Sequence, residues 1–260
     1  MSATILPFER PKSIGEVLDA GIALFKASLV RCLPLSLVAV VVGQLPSVVA
    51  MARGRTPSLS DIGAAEAVLV LLAGLANVLI WGAILLRQQA IGHGRRSSLG
   101  ADLGRPLALL LPSLAMAVVG GLLVAAGLVA LLVPGLYLMV ALVFAYPAML
   151  IDGESVAGSL RASLRLVRGN WWRTAAIITV ALFAILVFYS IGTLTGLVIV
   201  QVTGGGDVGS VFLATSIVSA LVGALFTPFM CALSLAQYAD LKLRRAGEDL
   251  ARRIEALPGA

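Results

Sequence analysis

The sequence predicts an all-α, polytopic membrane protein of six transmembrane helices. Three observations carry this. Of the 260 residues 60% are hydrophobic and only 12% charged, against roughly 25% charged in an ordinary soluble chain. The uncharged stretches are long enough to cross a bilayer, which takes about 20 mostly apolar residues. Lysine and arginine gather on one side of those stretches, as basic flanks retained in the cytoplasm do.

The first element begins at Ser13, a favoured N-cap with Glu16 at capping-box spacing. Ile14, Val17, Leu18, Ile22 and Phe25 recur at helical spacing with Glu16, Asp19 and Lys26 away from them, so an interfacial amphipathic helix is expected over about 13–27. Charge-free runs follow at 32–52, 67–86, 106–151, 174–206 and 208–239. The third is too long for one span and holds Val133-Pro134-Gly135 near its middle, so it reads as a helical hairpin. The expected spans are about 31–51, 66–88, 108–131, 136–152, 172–200 and 211–238. A second interfacial helix is expected over about 155–168, where Val156, Leu160, Leu164 and Val167 oppose Arg161, Arg165 and Arg168. A charged helix over about 239–257 extends the last span, with Asp240 and Arg244, Glu248 and Arg252, and Asp249 and Arg253 at i, i+4 spacing. All of this is one membrane domain, 1–260.

With the N-terminus inside, seventeen of the nineteen basic residues fall in inner segments and only Arg53 and Arg55 outside. One helix more or fewer would invert every later loop and destroy this bias. Both termini are therefore expected in the cytoplasm, the chain lying in a bacterial inner membrane. The first residues lack a basic stretch leading directly into an apolar one, so no cleavable signal peptide is expected, although Ala50-Met51-Ala52 mimics a cleavage site.

Ser13, Ser98 and Ser155 each precede an odd-numbered span and have a leucine five residues on. The pattern is compatible with a threefold repeat of one interfacial helix and two spans, although the serines are 85 and then 57 residues apart. Its middle member is the weakest, because Pro106 breaks a helical reading and Gly92-His93-Gly94-Arg95-Arg96 reads as a flexible loop.

Chemistry-bearing residues are scarce. The charge-free runs hold no carboxylate, which a proton-coupled transporter would need. His93 is the one histidine, expected in a solvated loop, and supplies neither a multi-histidine metal site nor a conventional triad base. Cys32 and Cys231 read as buried small hydrophobes. Gly204-Gly205-Gly206-Asp207 has no following lysine and reads as an outer turn. The polar residues within spans are Gln44, Asn77, Ser190, Thr193, Thr195 and Gln201; an amide such as Asn77 usually bonds a neighbouring helix. Gly192 and Gly196 form a GxxxG pair that would let a helix approach closely, and Pro34, Pro112, Pro147 and Pro228 are expected to kink their spans. Trp171 and Trp172, beside Arg161, Arg165, Arg168 and Arg173, are candidate anionic-headgroup contacts.

Several blocks together resemble the membrane domain found fused to some bacterial glycerophosphoryl diester phosphodiesterases and standing alone elsewhere. They are Ser13 to Ala20, Pro147-Ala148 before Asp152-Gly153, Ser159 to Leu166 leading to Arg168-Gly169-Asn170-Trp171-Trp172-Arg173, Pro228, and Tyr238-Ala239-Asp240-Leu241-Lys242-Leu243-Arg244-Arg245 with Gly247 to Leu250. The chain is also similar to YciC-type six-span bacterial proteins. The phosphodiesterase-associated family usually shows Tyr-Tyr-Asp-Leu-Arg; Ala239 and Lys242 stand at two of those positions, and lysine cannot make arginine's bidentate contact. The resemblance implies a six-span fold in the inner membrane, and no phosphodiesterase activity, since in fused proteins catalysis belongs to a separate soluble domain.

No cofactor, no metal, no nucleic-acid partner and no enzymatic activity are expected. The leading functional expectation is a scaffold or accessory subunit whose cytoplasmic face contacts anionic lipid and a protein partner, with Asp240, Arg244, Arg245, Glu248 and Asp249 as the candidate docking surface. The alternative is a transporter or lipid-handling protein with a cavity among kinked helices, lined first by Gln44, Asn77, Thr193 and Thr195.

Overall fold

The computed structural model describes residues 5–54, 63–202 and 208–255, and the described residues form helices and short connections with no strand. Among the described residues nine helices follow in order: α1 (Ile14–Ala52), α2 (Ala64–Gly92), α3 (Leu99–Ala108), α4 (Leu110–Ala130), α5 (Leu132–Ala141), α6 (Ala145–Asp152), α7 (Val156–Val167), α8 (Trp171–Val202) and α9 (Val208–Glu255). Six helical stretches are long and apolar enough to cross a membrane, α5 and α6 together counting as one. The protein is thus a six-span helical membrane protein. Arg55 and the Gly204 to Asp207 tract lie outside the described residues.

α1, α2, α8 and α9 make the central bundle, with α1 packed on both α9 and α2, and α8 on α9. The contacts are made by small residues, which let backbones approach where lipid offers no hydrophobic drive. Gly21 lies against Leu233 and Gly223 against Val40; Gly192 faces Val218 and Gly196 faces Ala214. The GxxxG pair therefore seats α9 on α8.

α1 runs unbroken through the expected interfacial helix over 13–27 and the first span, and α9 runs from the last span into its charged extension, as the sequence leads one to expect. The buried stripe of α1 is Val17, Gly21, Leu24, Ser28, Cys32, Ser36 and Ala39, a step round from the expected one, so Ile14 and Ile22 are exposed. Small residues win the helix contact and the isoleucines face outward. Pro34 and Pro46 both sit inside α1.

Three prolines shape these helices, two of them otherwise than expected. Pro106 does not break α3; it lies buried inside that helix, against Gly82, where an added Cβ would come within 2.9 Å of its ring. Pro134 falls in the first turn of α5, where a missing N–H leaves no bond unmade. The hairpin reversal is made by Leu131 in extended conformation, and Gly135 is instead the close approach of α5 to Gly127, at 3.0 Å from an added Cβ. Pro147 lies in the first turn of α6, just past a break at residues 142–144, because proline removes a donor and crowds the carbonyl four residues back. Ser163 of α7 bridges the break: its hydroxyl donates to the Ala141 carbonyl at 2.7 Å and accepts from Phe144 N–H at 3.0 Å.

Ser13, Ser98 and Ser155 are the N-caps of α1, α3 and α7, each accepting from the third residue beyond it. Gly153 and Gly169, which end α6 and precede α8, have φ of 75° and 85°, a conformation other residues adopt at a cost.

Ser163→Ala should destabilise the protein by about 1–3 kcal/mol, because it leaves a buried carbonyl and a buried N–H unpaired. Thermal unfolding in mild detergent measures this. By the same assay Gly192→Leu, driven into Val218, should cost about 1–3 kcal/mol, while Gly121→Leu, with nothing near its Cβ, should leave the midpoint unchanged.

Candidate functional site at the charged end of the bundle

Charged side chains of α8 and α9 and the backbone of the segment before α1 meet around one carboxylate. Asp240, 1% exposed, accepts from Lys12 N–H at 2.7 Å, Arg173 Nη2 at 3.0 Å and Arg244 Nε at 2.8 Å. Both guanidiniums also donate to the Lys12 carbonyl, Arg173 at 2.6 Å and Arg244 at 2.5 Å. The segment before α1, the start of α8 and the middle of α9 are thereby tied at one point. Arg10 and Glu16 pair just outside it, with Ser13 N–H donating to Glu16 at 2.7 Å in the capping box.

A second knot surrounds Asp152 at the end of α6. Tyr238 Oη donates to it at 2.5 Å, and Lys242 Nζ reaches both carboxylate oxygens at 2.8 and 3.0 Å. A single ammonium thus bridges two oxygens that an arginine would have engaged with its fork.

A third knot joins α1, α2 and α3. Arg87 donates through Nε to Asp102 at 2.7 Å and through Nη1 to the Arg31 carbonyl at 2.8 Å, and Ser97 Oγ also donates to Asp102. Below it the fully buried Gln88 donates to Ser28 Oγ at 3.0 Å and to the Pro228 carbonyl at 2.8 Å, so residues 28, 88 and 228 lie at one level. Gln88 Oε1 and Thr174 Oγ1 are buried without a partner.

The candidate headgroup residues divide. Arg161, Arg165 and Arg168 lie on the exposed side of α7, whose buried side is Ser159, Leu160, Ser163 and Val167. Trp172 is 82% exposed beside them. Trp171 turns inward, stacked on Tyr137 and donating to its carbonyl at 3.1 Å, and Arg173 is committed to Asp240. The candidate docking residues divide likewise. Asp240 and Arg244 are inside, whereas Arg245, Glu248 and Asp249 form a surface cluster, with Arg245 3.0 Å from Glu248 and 3.9 Å from Asp249. The side chains of Arg252 and Arg253 lie outside the described residues.

The intramembrane candidates are not brought together. Thr193 and Thr195 donate to carbonyls of their own helix on an exposed face. Asn77 donates to Ala73 of its own helix at 2.9 Å and edges a cavity of about 320 Å³ shared with Trp81, Ser113 and Tyr146; Gln44 lies on α1, outside that lining.

His93 is not a solvated loop residue: it caps α2, half-buried, with Nδ1 2.8 Å from the Gln89 carbonyl. That contact places the proton on Nδ1. His93 shares a cavity of about 340 Å³ with Phe8, Tyr238 and Lys242. Cys32 and Cys231 are both buried and free. Among the described residues no group of His, Cys, Asp or Glu is arranged to hold a metal ion.

The Gly169 to Arg173 and Tyr238 to Arg245 blocks stand out in the sequence, but nothing in either shows that they meet; Arg173 on Asp240 joins them. No local motif marks Lys12, Arg87 or Asp102 as members of the knots.

Asp240→Asn should cost about 3–5 kcal/mol in detergent unfolding, since two guanidiniums would lose a buried counter-charge. Glu248→Gln, in a surface pair, should change stability by less than about 0.5 kcal/mol.

Residues 99–241 match the model of a family described as a domain of unknown function, DUF7847. A UPF0259 membrane protein of Pectobacterium carotovorum subsp. carotovorum (strain PC1) is similar at 29% identity over 110 residues, 42% of this chain and 44% of that protein. The match thus spans less than half of that relative's length. No solved structure matches. The chain belongs to the DUF7847 family, an uncharacterised membrane family.

Proposed function

We propose that this DUF7847 protein is a non-catalytic scaffold or accessory subunit of a bacterial inner membrane, its charged end and both termini in the cytoplasm, resting on anionic lipid and offering α9 to a protein partner. One observation carries the reading. The carboxylates Asp102, Asp152 and Asp240 are consumed in ion pairs that tie helices together, while Arg161, Arg165 and Arg168 stand exposed beside Trp172. Acids locked to arginine and lysine are poor general acids or bases. Exposed arginines flanking an interfacial tryptophan suit phosphate headgroups.

The blocks shared with the phosphodiesterase-associated membrane domain and the YciC-type proteins favour a stand-alone counterpart of that domain. Arg173, Asp240, Asp152, Tyr238 and Lys242, which come from those blocks, converge on the two knots. In this reading the knots hold α7 and the α9 extension in fixed relation, and Arg245, Glu248 and Asp249 are the partner-facing surface.

Tryptophan quenching tests the lipid contact. In nanodiscs, brominated phosphatidylglycerol should quench emission more strongly than brominated phosphatidylcholine. Replacing Arg161, Arg165 and Arg168 together by Gln should abolish that difference, and Trp172→Phe should remove most of the quenched signal. Equal quenching by both lipids in the unaltered protein would rule the contact out.

A further inference from the structure

A groove of about 310 Å³ lies between α1, α8 and α9. Its wall is apolar, built by Phe188, Val222, Leu225 and Phe226, with Ile22 and Lys26 of α1 at one end. Lys26 is exposed, and among the described residues no carboxylate pairs with it.

The level of the groove follows from the polar layer at residues 28, 88 and 228. The charge-free stretches that run from near that layer to the far end are 32–52 on α1 and 67–86 on α2, 21 and 20 residues long, while the charge-free run of α9, 208–239, continues past the layer. At 1.5 Å per residue the first two each span about 30 Å, the thickness of a hydrocarbon core. These two helices place the edge of the apolar slab near the layer. Lys26 sits just beyond that edge, and Val222 and Leu225 sit one to two turns inside it. The groove therefore crosses the boundary with a lone cation at the polar end and aromatic and aliphatic walls at the other.

We infer that this groove is a binding site for one anionic glycerophospholipid, its phosphate on Lys26 and one acyl chain along Phe188, Val222 and Phe226. An apolar helix seated here would leave the ammonium unpaired at a low-dielectric boundary. A zwitterionic lipid would bring its own cation beside Lys26. The site is separate from the α7 surface and does not depend on it.

Native mass spectrometry of the full chain, released from mixed micelles holding equal phosphatidylglycerol and phosphatidylcholine, tests this. The unaltered protein should retain one phosphatidylglycerol per chain, favoured by about fivefold, as one lysine at a membrane surface confers. Lys26→Gln, at an exposed position that folding does not need, should bring the ratio close to one. Val222→Trp should fill the groove and remove the retained lipid. The triple Gln replacement at Arg161, Arg165 and Arg168 should leave retention unchanged, so failure of the α7 reading and failure of this one are told apart. Equal retention of the two lipids, a preference that survives Lys26→Gln, a retained single-chain fatty acid, or a dimer in place of a lipid adduct would each overturn the site.

Discussion

The buried carboxylate of Asp240 is the constraint on which the charged half of this protein depends. A carboxylate withdrawn from water must be matched by opposite charge and hydrogen bonds, or it costs several kcal/mol. Asp240 is matched from three directions, by α8 through Arg173, by its own helix through Arg244 and by the chain before α1 through Lys12 N–H. The Lys12 carbonyl then accepts from the same two guanidiniums, so neither the acid nor the strap can shift without stranding the other.

The same demand recurs at smaller scale. Breaks in helices expose backbone groups that lipid cannot satisfy, and here side chains from neighbouring helices supply the partners. Ser163 closes the break before Pro147, and Gln88 reaches the Pro228 carbonyl and Ser28 across three helices. These bonds explain why the core is densest around α6, α7 and the middle of α9, where Phe144, Leu150, Ala236 and Leu241 are buried. Toward the far ends, α4 and α8 expose most of their large apolar residues and the first half of α9 exposes Leu213, Ile217, Leu221 and Leu225, because lipid is as good a solvent for leucine as another helix.

This division of labour frames the functional reading. Asp102, Asp152 and Asp240, which look chemical by type, are structural by placement, whereas the α7 arginines beside Trp172 and Lys26 beside an apolar groove have no carboxylate partner among the described residues.

The six spans were legible in the sequence alone, because chain length in hydrocarbon and the cost of charge there are properties of residue type and need no tertiary knowledge. The capping serines were legible for the same reason, being local. Gly192 and Gly196 announced a close helix approach, though not that α9 would fill it. What only the tertiary structure decided is which charges are free. Arg173 and Arg161 look alike in sequence, as do Asp240 and Glu248, yet one of each pair is buried in a knot formed by segments more than sixty residues apart. Continuity of α1 from Ile14 into its span, and survival of α3 around Pro106, were decided there too, since the packing of Gly21 on Leu233 and of Pro106 on Gly82 outweighs local propensity. The segment expected over 13–27 as an interfacial helix is thus the start of one long helix, while α7 is a helix of its own; a pairwise contact between distant residues leaves no periodic trace in either segment.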